Sequence, residues 1–285
     1  MPLADEGGVQ MSERDPRPFE VTPPQGPAAP LIAHVPHASW YVAERARHCI
    51  VLRDAELRCE LVRLTDWHVD RLFSWVPGLG GEMFGSTLSR AAFDPERFRD
   101  DADEPMAGVG QGVAYKGTTQ LGKLADITAE EREWRLVHWY DPYHEALAAR
   151  VTALLERFGR VLILDCHSFA TVPLPSEPDQ RPHRPDVCIG TDDFHTPAEL
   201  PDALETSLRA EGLVVGRDTP FAGTIVPLRY YGADKHVRSV MIEVRRGLYC
   251  NEATGEPTAT FDDIKTALER AVGGVVAAFS GARAQ

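Results

Sequence analysis

Three short apolar runs of this chain lead into side chains that can bind a metal ion or move a proton. Leu31–Val35 contains His34 and is followed by His37; residues 161–164 run into Asp165, His167 and Ser168; residues 239–242 run into Glu243, Arg245 and Arg246. If the three runs are strands of one open α/β sheet, their carboxyl ends border a common crevice, which is where such sheets bind ligands. Two imidazoles and a carboxylate converging there form the donor set of a catalytic metal, with one position left for water. A second carboxylate beside that water can act as the general base. Each residue also has a plainer reading. A His at a strand end can simply be hydrogen-bonded, and Glu243 can be neutralised by Arg245 or Arg246. His34, inside its run, reads as a buried hydrogen-bonded residue rather than a ligand. The metal reading gains from the coincidence of polar groups at three strand ends, since each costs core packing with no evident structural return.

Other chemistries find less support. The chain has no G-x-S-x-G elbow, no Walker-type loop, and no G-x-G-x-x-G opening a helix after a strand. Residues 108–112 are Gly-rich but follow no apolar strand, so they do not read as a phosphate cradle. Cys166 stands beside His167, yet neighbours on a strand face opposite ways, which argues against a nucleophile and base pair and places Cys166 in the core.

Elements that could position these residues are legible along the chain. Apolar residues recur at helical spacing over 54–75, with a break expected near Thr65, and again over 127–158, where Gly159 follows as a C-terminal stop. The stretch 80–123 is irregular and rich in glycine and charge, a composition typical of functional loops. Residues 187–190, 213–215 and 239–242 read as further strands, and 198–211 and 261–279 as helices. The last helix has Asp262 and Asp263 at its positive end. Strands alternating with helices predict a three-layer α/β fold, with a mainly parallel or mixed sheet and helices on both faces. Residues 1–30, rich in Pro, Gly, Asp and Glu, read as a flexible leader, and 31–285 as one domain.

Composition narrows the partners. The chain of 285 residues carries 30 Lys+Arg against 43 Asp+Glu, a net charge of −13. Such a surface repels phosphate backbones, so nucleic acid is not an expected partner. No run is apolar enough to cross a bilayer, and the first 30 residues lack the apolar core of a signal peptide. Five scattered cysteines without a C-x-x-C pair fit reduced thiols. These features predict a cytoplasmic protein with no membrane partner.

Six strings occur in one order: HVPHAS at 34–39, TDWHVDRLF at 65–73, DCHSF at 165–169, CIGTDDFHTP at 188–197, PFAGT at 220–224 and IEVRRGLY at 242–249. Together, over residues 31–252, they resemble the N-formylglutamate amidohydrolase family. The resemblance implies a zinc-dependent amidase on a phosphorylase/hydrolase-like α/β fold, similar in layout to the zinc exopeptidases. It would hydrolyse N-formyl-L-glutamate to formate and L-glutamate in histidine degradation. Carried onto this chain, it implies His37 and His167 as metal ligands and Glu243 as the catalytic carboxylate. Zinc carboxypeptidases place a Glu ligand three residues after the first His, where this chain has Trp40. Asp66 is therefore the expected third ligand, with Glu44 and Asp70 in reserve. Ser39 stands where the family has Gly. Arg97 and Arg246 are expected on the carboxylates of a small anionic N-acyl amino acid, and Arg90 on a carboxylate or the developing oxyanion; each could instead pair with a neighbouring acid such as Asp94, Glu96 or Asp100. His195 is a weaker candidate for the pocket wall. A deacylase for another N-acyl or N-formimidoyl amino acid, or an inactive metal-binding relative, would share these residues. An acidic interaction protein would explain the charge but not the polar strand ends.

Overall fold

The computed structural model describes residues 17–280. Among them the strands are β1 Phe19–Thr22, β2 Leu31–Val35, β3 Glu82–Ser86, β4 Val161–Phe169, β5 Val187–Gly190, β6 Val215–Arg217 and β7 Val237–Arg245. They form one sheet in the order β1-β3-β2-β4-β7-β5-β6. The central four, β3, β2, β4 and β7, run parallel, while β1 and β5 lie antiparallel to β3 and β7. The helices are α1 Glu44–Cys49, α2 Asp54–Leu64, α3 Val69–Leu72, α4 Ala129–Arg135, α5 Asp141–Phe158, α6 Glu199–Ala210, α7 Phe261–Leu268 and α8 Gly274–Ser280. One π turn joins α4 to α5 and another joins α7 to α8.

The sheet is covered on both sides, as the three-layer reading requires. Ile32, Phe84, Ile163 and Val237 pack under α2, α4 and α5, with Leu57, Leu61, Leu136, Leu147 and Val151. On the opposite face Ala33, Leu164, Cys166, Ile242 and Val244 pack against α3, α6, α7 and α8. Strand side chains alternate between faces. His34 therefore follows Ile32, and Asp165 and His167 follow Ile163, onto the α5 face. Register does the rest: His34 stands opposite Asp165, and His167 opposite Glu243. Cys166 faces the other way and is fully buried, in agreement with its assignment to the core.

Several sequence expectations are corrected. The leader does not extend to residue 30, because Phe19–Thr22 pairs with β3 and Phe19 stacks on Phe84 at 5.1 Å between ring centroids. A four-residue F-E-V-T alternation is too short to stand out beside prolines and glycines. Residues 1–16 of that proposed leader lie outside the described residues. The irregular stretch after Gly80 contains β3, whose apolar core of Met83 and Phe84 is masked by Gly81 and Gly85. β4 and β7 also run further than their apolar cores, so His167 and Glu243 lie on the strands rather than beyond them. The helix over 54–75 is interrupted at Thr65, as expected. The chain turns through His68, whose left-handed φ of 61° is held by a ring bond of 2.8 Å to the Gly255 carbonyl.

Candidate metal centre

His37 follows β2 by two residues, Asp66 lies in the turn between α2 and α3, and His167 projects from β4. All three are buried. The turn is tied to β2 by the Asp66 N–H, which donates to the His37 carbonyl at 3.0 Å. His37 Nδ1 and His167 Nδ1 are 3.2 Å apart, and Asp66 Oδ2 lies 3.3 Å from the latter and 3.6 Å from the former. Ligand atoms of a tetrahedral site with bonds of about 2.0–2.1 Å stand roughly 3.3 Å from one another. Two ring nitrogens face to face require a proton or a cation between them. The donor set and its spacing therefore fit a divalent ion.

The opposite nitrogens of both rings end on carboxylates. His37 Nε2 meets Asp94 Oδ1 at 2.8 Å, and His167 Nε2 meets Asp165 Oδ1 at 3.0 Å. This is the outer support that orients metal-binding imidazoles and raises their basicity. Asp94 is held in turn by Arg90 Nε and Nη2 at 3.1 and 2.8 Å and by the Tyr115 hydroxyl at 2.6 Å. Burial opposes ionisation of Asp66, Asp94 and Asp165, yet all three stay below the usual carboxylate range. His167 and His37 hold down Asp66, Arg90 and His37 hold down Asp94, and His167 and His34 hold down Asp165. Burial disfavours a charged His167, but Asp165, Glu96 and Asp66 raise it well above its ordinary value. The site is built to hold positive charge.

Glu243 stands beside His167 on β7 and has neither of its proposed neutralising partners. Arg245 pairs with Asp186, and Arg246 donates through Nη1 to the carbonyls of Val62, Arg63 and Thr65 at the end of α2. Glu243 Oε2 is buried without a hydrogen bond, and burial pushes the carboxyl up to about 8. A buried carboxyl beside the His167 imidazole, with one oxygen left without a hydrogen bond, suits a proton acceptor.

Residues 29–250 match the family model described as N-formylglutamate amidohydrolase. The chain belongs to that family. It is 26% identical over 242 residues to the N-formylglutamate deformylase of Pseudomonas putida, covering 82% of this chain and 86% of that protein. The deformylase of Pseudomonas aeruginosa is 28% identical over 196 residues, with coverage of 66% and 71%. The crystal structure of N-formylglutamate amidohydrolase from Ralstonia eutropha JMP134 superposes with a TM-score of 0.78 at 27% identity, covering 93% of this chain and 98% of that one.

In this member of the N-formylglutamate amidohydrolase family, His37, Asp66, His167, Glu243, Arg90, Arg97 and Arg246 all line one cleft of about 550 Å³. The reserves Glu44 and Asp70 are exposed and do not join the cluster. His195 does not line this cleft; its Nδ1 meets the Val237 carbonyl and its Nε2 accepts from Gly232, so it braces β7. The arginines are partly committed. Arg90 serves Asp94, the neighbouring acid that the sequence offered as its alternative partner. Arg97 donates through Nε to the Gln111 carbonyl at 3.1 Å, and Arg246 anchors α2 while its Nε has no partner. Composition and spacing did not single out the supporting role of Asp94, Tyr115 or Tyr143, nor Glu96 as a site residue. Glu96 lines the cleft with Oε1 3.8 Å from His167 Nε2, and its carboxyl is pushed up to about 7 by burial and by Asp165. One signal was available: the Asp94–Arg97 segment sits in the irregular stretch already read as functional.

Proposed function

We propose that this protein hydrolyses the formyl amide of N-formyl-L-glutamate to formate and L-glutamate, with a divalent ion held by His37, Asp66 and His167. Zinc as the ion, histidine degradation as the setting and the cytoplasm as the compartment belong to the same proposal. The observation that supports it most is the triangle of two Nδ1 atoms and one carboxylate oxygen at 3.2–3.6 Å, backed by carboxylates on both distal nitrogens. Family membership and the names of the Pseudomonas relatives support the substrate. The five cysteines are free thiols, and among the described residues no helix is long and apolar enough to cross a membrane.

A bound divalent ion of this kind polarises a carbonyl and lowers the pKa of water toward about 7. Glu243, through its unpartnered Oε2, takes the proton of the attacking water as the new C–O bond forms at the formyl carbon. The same carboxyl then delivers that proton to the amide nitrogen as the C–N bond breaks, so glutamate leaves as the amine. Arg97 and Arg246 hold the two carboxylates of the substrate through N–H groups not used within the protein. Arg90 Nη1, which carries no hydrogen bond among the described residues, faces either a substrate carboxylate or the developing oxyanion. The test is release of formate from purified protein given N-formyl-L-glutamate, N-acetyl-L-glutamate, N-formimidoyl-L-glutamate and other N-formyl amino acids, before and after chelation and zinc return. Preference for another acyl group would move the substrate assignment; hydrolysis untouched by complete metal removal would overturn the mechanism.

A further inference from the structure

We infer that His34 and Tyr143 form the outer half of a buried relay that fixes which nitrogen of His167 is free to bind a metal ion. The inference rests on the metal reading above. Tyr143 Oη lies 2.7 Å from His34 Nε2, His34 Nδ1 lies 2.8 Å from Asp165 Oδ1, and His167 Nε2 lies 3.0 Å from the same Oδ1. Tyr143, His34 and Asp165 are fully buried, so water cannot substitute for a missing partner.

Counting donors sets the direction of every bond. Asp165 is an acceptor only; its Oδ2 already takes the Ile225 N–H at 3.0 Å, and its Oδ1 needs a proton from each imidazole. His34 therefore carries its proton on Nδ1 and exposes a lone pair on Nε2, which the Tyr143 hydroxyl fills. His167 likewise keeps a proton on Nε2, so the nitrogen that must give up its proton for a metal ion is Nδ1, on the side of His37 and Asp66. His34 is thus a positioning residue acting through Asp165. Without its Nδ1–H, Oδ1 loses one of two donors, and Asp165 is freer to swing or to draw the His167 proton.

The Nδ1 of His34, Oε1 of Glu96, Oδ1 of Asp165 and Nε2 of His167 also lie close enough to suggest a second ion. The distances speak for hydrogen bonds. Separations of 2.8 and 3.0 Å onto one oxygen are shorter than the roughly 3.3 Å edge of a tetrahedral zinc site. Glu96 Oε1 stands 3.3 Å from His34 Nδ1 and 3.8 Å from His167 Nε2, so it is the two short contacts onto Asp165 Oδ1 that decide for hydrogen bonds.

The experiment measures zinc affinity and stoichiometry of chelator-stripped protein by competition with a chromophoric chelator, with no turnover required. His34→Leu should weaken binding by about 10–100-fold. His34→Asn, whose amide N–H falls near the place of Nδ1, should recover most of that loss, and Tyr143→Phe should show a smaller weakening. Wild-type affinity in His34→Leu, or His34→Asn as weak as His34→Leu, would overturn the relay. Should His34→Leu fail to fold, Tyr143→Phe decides: wild-type affinity overturns the relay and weaker binding supports it. Two ions per wild-type chain would also overturn it, because His34 Nδ1 would then be a ligand. A wild-type chain that binds no zinc defeats the metal reading itself, whereas tight zinc binding indifferent to His34 defeats the relay alone.

Discussion

Replacing Glu243 by Gln should separate stability from turnover. The carboxyl is 8% exposed, and its Oε2 has no hydrogen bond to lose. Burial lifts it from an ordinary 4.5 to about 8, against the opposing pull of His167. For an acid raised by folding, the native state prefers the protonated form. Stability is then full below about pH 4.5 and is lost as pH rises through about 8. At about 1.4 kcal/mol per pH unit, the rise corresponds to at most about 5 kcal/mol that the metal-free protein forgoes by pH 9. Gln has the shape of the protonated acid and does not titrate. Metal-free Glu243→Gln should therefore be more stable than metal-free wild type at pH 9, by a few kcal/mol and up to that limit. The difference should close toward pH 5. Loaded with zinc, the variant should keep its metal and lose about 10²–10⁴-fold in turnover, the usual contribution of a general base. Urea unfolding at pH 5, 7 and 9, with formate release on the loaded protein, reads both effects. Parallel stability profiles would refute the claim that Glu243 sits uncompensated, and a metal-replete, fully active variant would refute its role as base.

Three further outcomes follow from the contacts. Asp94→Asn removes the anion behind His37 Nε2 and strands Arg90, so zinc affinity measured by chelator competition should fall about 10–100-fold; unchanged affinity would mean that the carboxylate is not supporting the ligand. Arg246→Ala deletes the guanidinium that three carbonyls at the end of α2 share, and should lower unfolding stability by about 2–3 kcal/mol. It should also raise KM for N-formyl-L-glutamate; a KM equal to wild type would leave Arg246 a purely structural cap. Phe19→Ala removes the ring stacked on Phe84 and edge-on to Tyr143, and should cost about 3 kcal/mol in urea unfolding; a cost below about 0.5 kcal/mol would mean that β1 is dispensable.

What could be read in the sequence divides along one physical line. A strand's period of two writes core and site in the same residues. Ile163, Asp165 and His167 share a face, and so do Ile32 and His34. Apolar runs ending in polar residues were therefore enough to locate β2, β4 and β7 and to bring His37, His167 and Glu243 toward one crevice. Asp66 was reached through a motif resemblance, and its position depends on a helix break at Thr65 that interrupted periodicity makes visible. The irregular segment behaves differently. Asp94, Glu96, Arg97 and Tyr115 meet because loop backbone and buried ion pairs bring them together, as when the Asp94 N–H bonds the Val113 carbonyl at 2.8 Å. No period in the sequence records such a fold-back. β1 and β3 escaped detection for a related reason, since strands of four and five residues flanked by glycine and proline have too few alternations to show.

The charge balance ties these observations together. At −13 the chain repels anions, and its centre adds the ionised Asp66, Asp94 and Asp165 within or beside one cleft, with Glu96 and Glu243, pushed up by burial, adding charge only as pH rises. Arg90 and Arg97 meet part of that charge, but Arg90 gives Nε and Nη2 to Asp94, and Asp66 and Asp165 have only imidazoles and a few neutral donors. So much buried negative charge is costly unless a cation completes it. Zinc bound to the native state alone should then stabilise folding strongly, by about 4 kcal/mol at a thousandfold excess over Kd. Because Asp66 is a direct donor in that completion, Asp66→Asn should abolish most of the zinc-induced rise in Tm, on top of a lower metal-free Tm from the lost pairing with His37 and His167. A metal-free Asp66→Asn protein that still gains the wild-type increment with zinc would show that the cation sits elsewhere.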